Sequence, residues 1–253
     1  MYATLFNTEL DIYLGQFQVS NPLFKRELRL TFEDYQVYTS QIGMSDFNMK
    51  YDKGIMLTYS LPTSTDIMVE VVNGNGLGET NFMNFFDKDP YKNYLLRVSQ
   101  GVGSFLRLGA VGYYGKEHIT NEARTITNEA YFLGADATLS FSDKVEVNMQ
   151  YLLREDSEVL TTPGSLIPLT GVQTHGFLGE IIYSPKGDKS DWYAVGLYNN
   201  VQSDYNPADY HTATLHLGYL LRRNIRLGLE YTQVLTDPDN PYGRLSLGFV
   251  AGI

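Results

Sequence analysis

Apolar and polar residues alternate with a period of two along most of the chain. That is the pattern of strands with two unlike faces. Near the C-terminus, Leu245, Leu247, Phe249, Ala251 and Ile253 share one parity, and Arg244, Ser246, Gly248, Val250 and Gly252 share the other. Earlier, Ile225, Leu227, Leu229 and Tyr231 oppose Arg226, Gly228, Glu230 and Thr232. Val145, Val147, Met149, Tyr151 and Leu153 oppose Glu146, Asn148, Gln150, Leu152 and Arg154. The pattern predicts twelve strands at 9–19, 52–61, 65–73, 92–100, 104–114, 128–141, 144–155, 172–184, 191–201, 209–221, 224–235 and 243–253. They run to about ten residues or more, against about 5–6 for ordinary globular strands. A tilted strand crossing a bilayer needs about 9–11. Length therefore favours an all-β, antiparallel transmembrane barrel.

The connections point the same way. Short ones are Pro62-Thr63-Ser64, Gly101-Val102-Gly103, Ser142-Asp143, Pro185-Lys186-Gly187-Asp188 and Arg222-Arg223. Long ones, at 20–51, 74–91, 115–127, 156–171, 202–208 and 236–242, alternate with them. Short turns on one side and longer loops on the other is the plan of an outer-membrane barrel. Tyr113, Tyr114, Tyr131, Tyr183, Trp192, Tyr193 and Tyr231 lie toward strand ends, where an interfacial girdle is expected. Segment 20–51 is the longest non-alternating stretch and the candidate constriction loop, with Lys25, Arg26, Arg29, Glu33 and Asp34 as its charged candidates and a short helix expected near 31–40. Loop 74–91 carries Phe82, Phe85 and Phe86, expected to pack against another loop or subunit. Residues 1–253 are read as a single barrel domain.

Composition removes several alternatives. The chain has no cysteine, which excludes disulfides, thiolate zinc sites and covalent c-type haem attachment. A net charge of −10 argues against nucleic acid as a partner. No apolar run approaches the length of a transmembrane helix. Met1 is followed by no secretory signal, and Met1–Phe6 reads as the end of a further strand with Asn7-Thr8 as its turn. Because single-chain barrels usually have even strand numbers, this is expected to be the C-terminal part of a longer barrel; the alternative is twelve strands and a short tail.

Three segments carry a family resemblance. They are Gly15-Gln16-Phe17-Gln18-Val19 with Pro22 and Lys25-Arg26-Glu27-Leu28, then Tyr51-Asp52-Lys53-Gly54-Ile55-Met56-Leu57, then Val72-Asn73-Gly74-Asn75-Gly76. In order and spacing they resemble the phosphate-selective porin family of the O and P type, over about residues 9–100. The resemblance implies a sixteen-stranded trimeric outer-membrane porin, of which twelve to thirteen strands lie here. It also implies inward-folded loops, a bacterial outer-membrane location among lipid and lipopolysaccharide, and passage of small hydrophilic solutes or anions such as phosphate.

The residues themselves do not favour anions. If each strand's polar face lines the lumen, its cations are Arg97, Arg107, Arg154, Arg226 and Arg244. Its acids are Asp11, Asp66, Glu70, Asp136, Glu146, Glu180 and Glu230, with His216 on the same face. Mixed rows form cross-strand ion pairs, and selectivity follows the sign at the constriction. Weak or slightly cation-leaning selectivity is expected.

Catalytic chemistry is not in view. His118, His175, His211 and His216 form no metal-ligand spacing, since i to i+5 on a strand puts His211 and His216 on opposite faces. No nucleophile–base–orienter set can be named, and Gly74-Asn75-Gly76-Leu77-Gly78 lacks the lysine of a phosphate loop. No catalytic residue, metal or cofactor is expected. Glu155-Asp156-Ser157-Glu158 and Asp237-Pro238-Asp239-Asn240 are acidic clusters placed on outer loops; they offer hard-oxygen ligands for divalent cations, though such charge runs are usually solvated surface. The competing readings are a structural sheath around an electron-transfer partner and a soluble β-sandwich binding protein.

Overall fold

The computed structural model describes residues 2–4, 10–19, 31–47, 49–76, 89–222 and 225–251. Among the described residues, thirteen strands form one antiparallel sheet in plain sequence order. They are β1 (Tyr2–Thr4), β2 (Leu10–Gln18), β3 (Tyr51–Leu61), β4 (Thr65–Val72), β5 (Asn93–Val102), β6 (Leu106–Thr120) and β7 (Thr125–Ser140). The sheet continues through β8 (Val145–Val159), β9 (Leu169–Tyr183), β10 (Trp192–Ser203), β11 (Tyr210–Arg222), β12 (Ile225–Val234) and β13 (Tyr242–Ala251). The twelve expected strands are all present, and β1 is the further strand expected ahead of them.

Burial runs opposite to that of a water-soluble protein. Leu133 is 61% exposed and Leu217 47%, while Arg97 and His216 are 1% exposed. Side chains alternate across a strand, so each strand sends its apolar set outward and its polar set inward. Leu96, Val98, Leu108, Met149, Ile181, Leu215 and Leu229 form the exposed apolar band. Tyr94, Tyr131, Tyr151, Tyr198 and Tyr231 rim it on one side, and Tyr183, Trp192 and Tyr219 on the other. Trp192 sits directly opposite Tyr219 in the register and 5.8 Å from the Tyr183 ring. Tyr113 and Tyr193, expected in this girdle, are instead buried on the inner face. Tyr113 shares the parity of Arg107, so its ring points inward.

The connections depart from strict alternation. Segment 115–127 is not a loop: β6 and β7 pair through to Thr120 and Thr125, leaving only 121–124. Segment 156–171 is shortened to 160–168, because β8 and β9 pair as far as Val159 and Leu169. On the other side, 184–191 is longer than expected. Beyond the apolar band the outward residues turn polar, as in the Lys116–Glu129 ion pair (2.6 Å), but backbone pairing continues. Loss of the outward apolar residues marks the edge of the band, not the end of the strand. The Glu155–Glu158 cluster therefore belongs to β8, with Asp156 buried and facing inward.

The core lies inside the curve of the sheet. Residues 31–47 and 49, between β2 and β3, supply Tyr35, Val37, Tyr38, Phe47 and Met49 to it. The wall supplies Leu95, Val111, Tyr113, Phe132, Leu152, Leu178 and Leu197. The inner face is thus not wholly polar; it is apolar where this inward segment packs. A second cluster joins Ile42 to Ile119, Ile126, Val159, Leu160 and Val172 at the long-loop end.

Candidate functional site: the inward segment and its wall

The inward segment makes one short 3-10 turn, Gln36–Tyr38, in place of the helix expected near 31–40. Irregular backbone cannot bond to itself as a helix or sheet does, so its polar groups need partners from the wall. Wall carboxylates and amides provide them. Glu230 on β12 accepts from the Phe32 N–H (2.6 Å) and the Glu33 N–H (2.9 Å). Asn199 on β10 donates to the Asp34 carbonyl (3.0 Å) and accepts from the Gln36 N–H (3.2 Å). Glu180 on β9 accepts from the Tyr35 hydroxyl (2.7 Å), and Gln150 on β8 from that of Tyr38. Glu117 on β6 accepts from the Asp46 N–H (2.8 Å). Burial, and then the Glu180 carboxylate, push the Tyr35 phenol far above its ordinary range, so it stays a donor.

Glycines on the wall make room for the segment's apolar side chains. A Cβ on Gly228 or Gly248 would meet Phe32 Cζ at 2.7 and 2.9 Å. One on Gly176 would meet Val37 Cγ1 at 2.9 Å, and one on Gly115 would meet Phe47 Cε1 at 2.6 Å. The seam between Val37, Phe47 and the wall retains a gap of about 20 Å³, room for about one water.

Most expected lumen charges are engaged. Arg97 on β5 holds Asp136 on β7 through two bonds of 2.8 and 3.1 Å, both side chains 2% exposed. Arg154 on β8 grips Asp156 (2.6 and 2.8 Å) and donates to Ser45 Oγ (2.7 Å) of the segment. Arg244 on β13 pairs with Glu33, which also accepts from Tyr210 (3.0 Å). His216 on β11 meets Glu230 at 3.0 Å, edge-on to Phe32. Arg107 donates to Ser99 Oγ (3.0 Å), Asp66 accepts from Ser60 (2.7 Å), and Arg226 lies over the Tyr193 ring at 5.6 Å. Asp34 and Lys50 form a half-exposed pair at 3.1 Å. Asp11 lies half-buried in β2, and Glu70 is buried on β4. Lys25, Arg26, Arg29, Phe82, Phe85 and Phe86 lie outside the described residues. Among the described residues no cluster of three His, Asp or Glu side chains has metal-binding geometry.

Parity counting missed Glu117, Asp156 and Asp52. Continuing the inward parity of β6 and β8 past residues 114 and 155 would have found the first two. Asp52 is buried and accepts from the Gly74 N–H (2.8 Å). Gly74 (φ +95°) lies so close to Asn93 that a Cβ there would strike its side chain. Two of the motif segments therefore meet at one corner, where β3, β4 and β5 adjoin.

At the short-turn end lies a cavity of about 1040 Å³. Its wall includes Ser140, Asp143, Lys144, Glu146, Asp188 and Arg226.

Exposed apolar band, aromatic rims, buried inner charges and an inward segment together define an outer-membrane-type antiparallel β-barrel of porin fold. Solved structures with this fold include a refined porin, matched over 95% of this chain and 76% of that one at 12% identity, with a TM-score of 0.56. The outer membrane channel DcaP of Acinetobacter baumannii matches over 96% and 70% at 14% identity, TM-score 0.57. Outer-membrane expressed OmpT of Vibrio cholerae matches over 94% and 68% at 14% identity, TM-score 0.53. No protein-family model and no curated protein matches the sequence.

Proposed function

We propose that the chain is an outer-membrane channel, a single barrel domain over 1–253, for passive diffusion of small hydrophilic solutes or ions. Residues 31–47, 49 and 50 set its constriction, and no catalytic group takes part. The observation that carries this reading is the inward segment bonded to wall residues from β6 to β13 inside a barrel of porin fold. The pore-facing charges are Asp34 and Lys50 at the segment, Glu146 and Arg226 in the short-turn cavity, and Arg107 on the inward parity of β6. Arg97, Arg154 and Arg244 are bound to carboxylates, so they do not form an anion ladder. This supports weak selectivity over the phosphate selectivity that the motif resemblance implies. A homotrimer amid lipopolysaccharide follows from the same resemblance.

Planar-bilayer recording tests the reading. A KCl gradient is expected to give an open current with a small reversal potential, as a near-balanced set of pore charges predicts. A folded, inserted protein without current would overturn it. The close packing of Val37 and Phe47 on the wall, with a gap of only about 20 Å³, favours a second reading, a structural barrel around a partner, which predicts that null current.

A further inference from the structure

The long-loop end of the barrel holds a buried carboxylate that no cation claims. Glu117 on β6 is 6% exposed, and among the described residues it forms no ion pair. Its Oε2 accepts from the Asp46 N–H (2.8 Å) and its Oε1 from the Asn128 amide (3.1 Å), and the Ser45 hydroxyl bonds it as well. Arg154 on β8 also reaches Ser45 (2.7 Å), but its guanidinium is held by Asp156 (2.6 and 2.8 Å). Two carboxylates therefore share one guanidinium, and the cluster keeps one net negative charge out of water. The inward segment is what excludes the water. Ser45 and Asp46 cover Glu117, Ile42 packs among Ile119 and Val159, and the Met44 N–H donates to the Leu160 carbonyl (2.8 Å). The outward neighbours of Glu117 are Lys116 and His118, so this end of β6 stands beyond the apolar band.

We propose that Glu117 is a proton-controlled latch for residues 44–47 of the inward segment, which seat more tightly as the medium becomes acidic. The latch rests on the channel reading for its use, because the segment it controls is the proposed constriction. Taking a carboxylate out of water penalises its charged form, while donated hydrogen bonds and nearby cations favour it. Here burial outweighs the bonds from Ser45, Asn128 and Asp46, and holds the Glu117 carboxyl above the ordinary carboxylate range. With the segment lifted away, the same carboxyl meets water and returns to that range. The seated state therefore binds the proton more tightly than the open one. Its added stability is fully present below the ordinary carboxylate pKa and is lost as pH rises through the raised one. The groups around Glu117 do not reverse that sign. Arg154 and Lys116 already hold Asp156 and Glu129. Asp46 on the segment is exposed, Tyr113 lies one turn of the pleat further along the same face, and Asp89, ahead of β5, accepts from the His118 and Tyr91 N–H groups.

Hydrogen exchange of the detergent-solubilised full chain, read by mass spectrometry over residues 44–47 from about pH 5 to about pH 8, tests the latch without requiring current. Dividing each rate by that of an unstructured peptide at the same pH leaves the opening equilibrium. Opening is expected to rise with pH by up to about tenfold per unit, the slope of one proton. Glu117→Gln has no proton to exchange and should give a flat profile. Ser45→Ala removes one bond to the charged form without altering the wall, and should carry the rise to higher pH. Glu129→Gln changes a carboxylate on the outer face of β7 and should keep the wild-type slope. Circular dichroism establishes that each variant is folded. A flat or falling wild-type profile would overturn the proposal, and so would a Glu117→Gln slope equal to that of wild type. Loss of the slope in Glu129→Gln as well would assign it to general surface charge and overturn the latch. A wild-type slope without bilayer current would sustain the latch and remove the channel.

Discussion

Glu230→Gln asks whether the wall carboxylates hold the inward segment in place. The substitution is nearly isosteric. Glu230 accepts the Phe32 N–H on one oxygen and the Glu33 N–H on the other. Glutamine keeps one acceptor and turns an amide N–H₂ toward the second donor. One charge-assisted bond is lost and one buried N–H is left without an acceptor, together about 2–4 kcal/mol. That shifts the docked-to-open ratio of residues 31–35 about thirty- to a thousandfold. Chymotrypsin reads the ratio, because cleavage of a transiently opened segment follows its open population when closing is fast. Cuts after Phe32 and Tyr35, mapped by mass spectrometry, should accelerate by that factor. Cuts after Phe47 should change less, since Glu117 and Arg154 still anchor residues 45 and 46. Ser246→Ala, opposite Glu230 on β13, is the control. A folded Glu230→Gln protein as resistant as wild type at Phe32 and Tyr35 would refute the anchoring argument.

Trp192 is the only tryptophan, so its fluorescence reports one place on the outer face. Lipids brominated near the headgroup should quench it more than lipids brominated near the chain end; the reverse order would remove it from the interfacial girdle. Arg97→Ala strands Asp136 as a buried charge and should destabilise the folded barrel by about 3–5 kcal/mol in denaturant titration, while Arg97→Met with Asp136→Leu should recover most of that loss. The Asn240 side chain, then the Asp239 N–H, hold the Asp237 carboxyl below the ordinary carboxylate range. The contribution to turn order is present above the unfolded pKa and lost as pH falls through the lowered folded one. Asn240→Ala should raise the Asp237 pKa toward the ordinary value, which NMR titration of the carboxyl carbon measures.

The strands were legible because bilayer crossing imposes length and period together. Ile225–Tyr231 and Leu245–Ala251 show this best: one parity meets lipid and the other does not. Strand ends were less legible. Lys116, His118 and Thr120 look like loop residues by composition, yet they are the outward side chains of a strand that has left the apolar band. The lumen was half legible. Parity located Arg97, Asp136, Glu180 and Glu230 correctly, but not that the last two serve as acceptors for a segment far away in sequence. That segment has no period of its own, since its shape comes from Glu230, Asn199, Glu180, Gln150 and Glu117 on five strands. Gly176, Gly228 and Gly248 are inward glycines that read as ordinary barrel positions until Val37 and Phe32 are seen resting on them.

The inward segment is made early and seated late. It emerges between β2 and β3, yet Phe32 bonds a residue 198 positions downstream, Tyr35 one 145 downstream and Glu33 one 211 downstream. None of those partners exists as a site until β9 to β13 have paired. Closing such long loops before any contact forms is entropically slow, so the hairpins assemble first and the segment docks into a barrel already built. During that interval Glu117, Glu180 and Glu230 face water in an unfilled lumen. Docking of the backbone N–H groups ends the interval, so the final folding phase of this barrel is its filling.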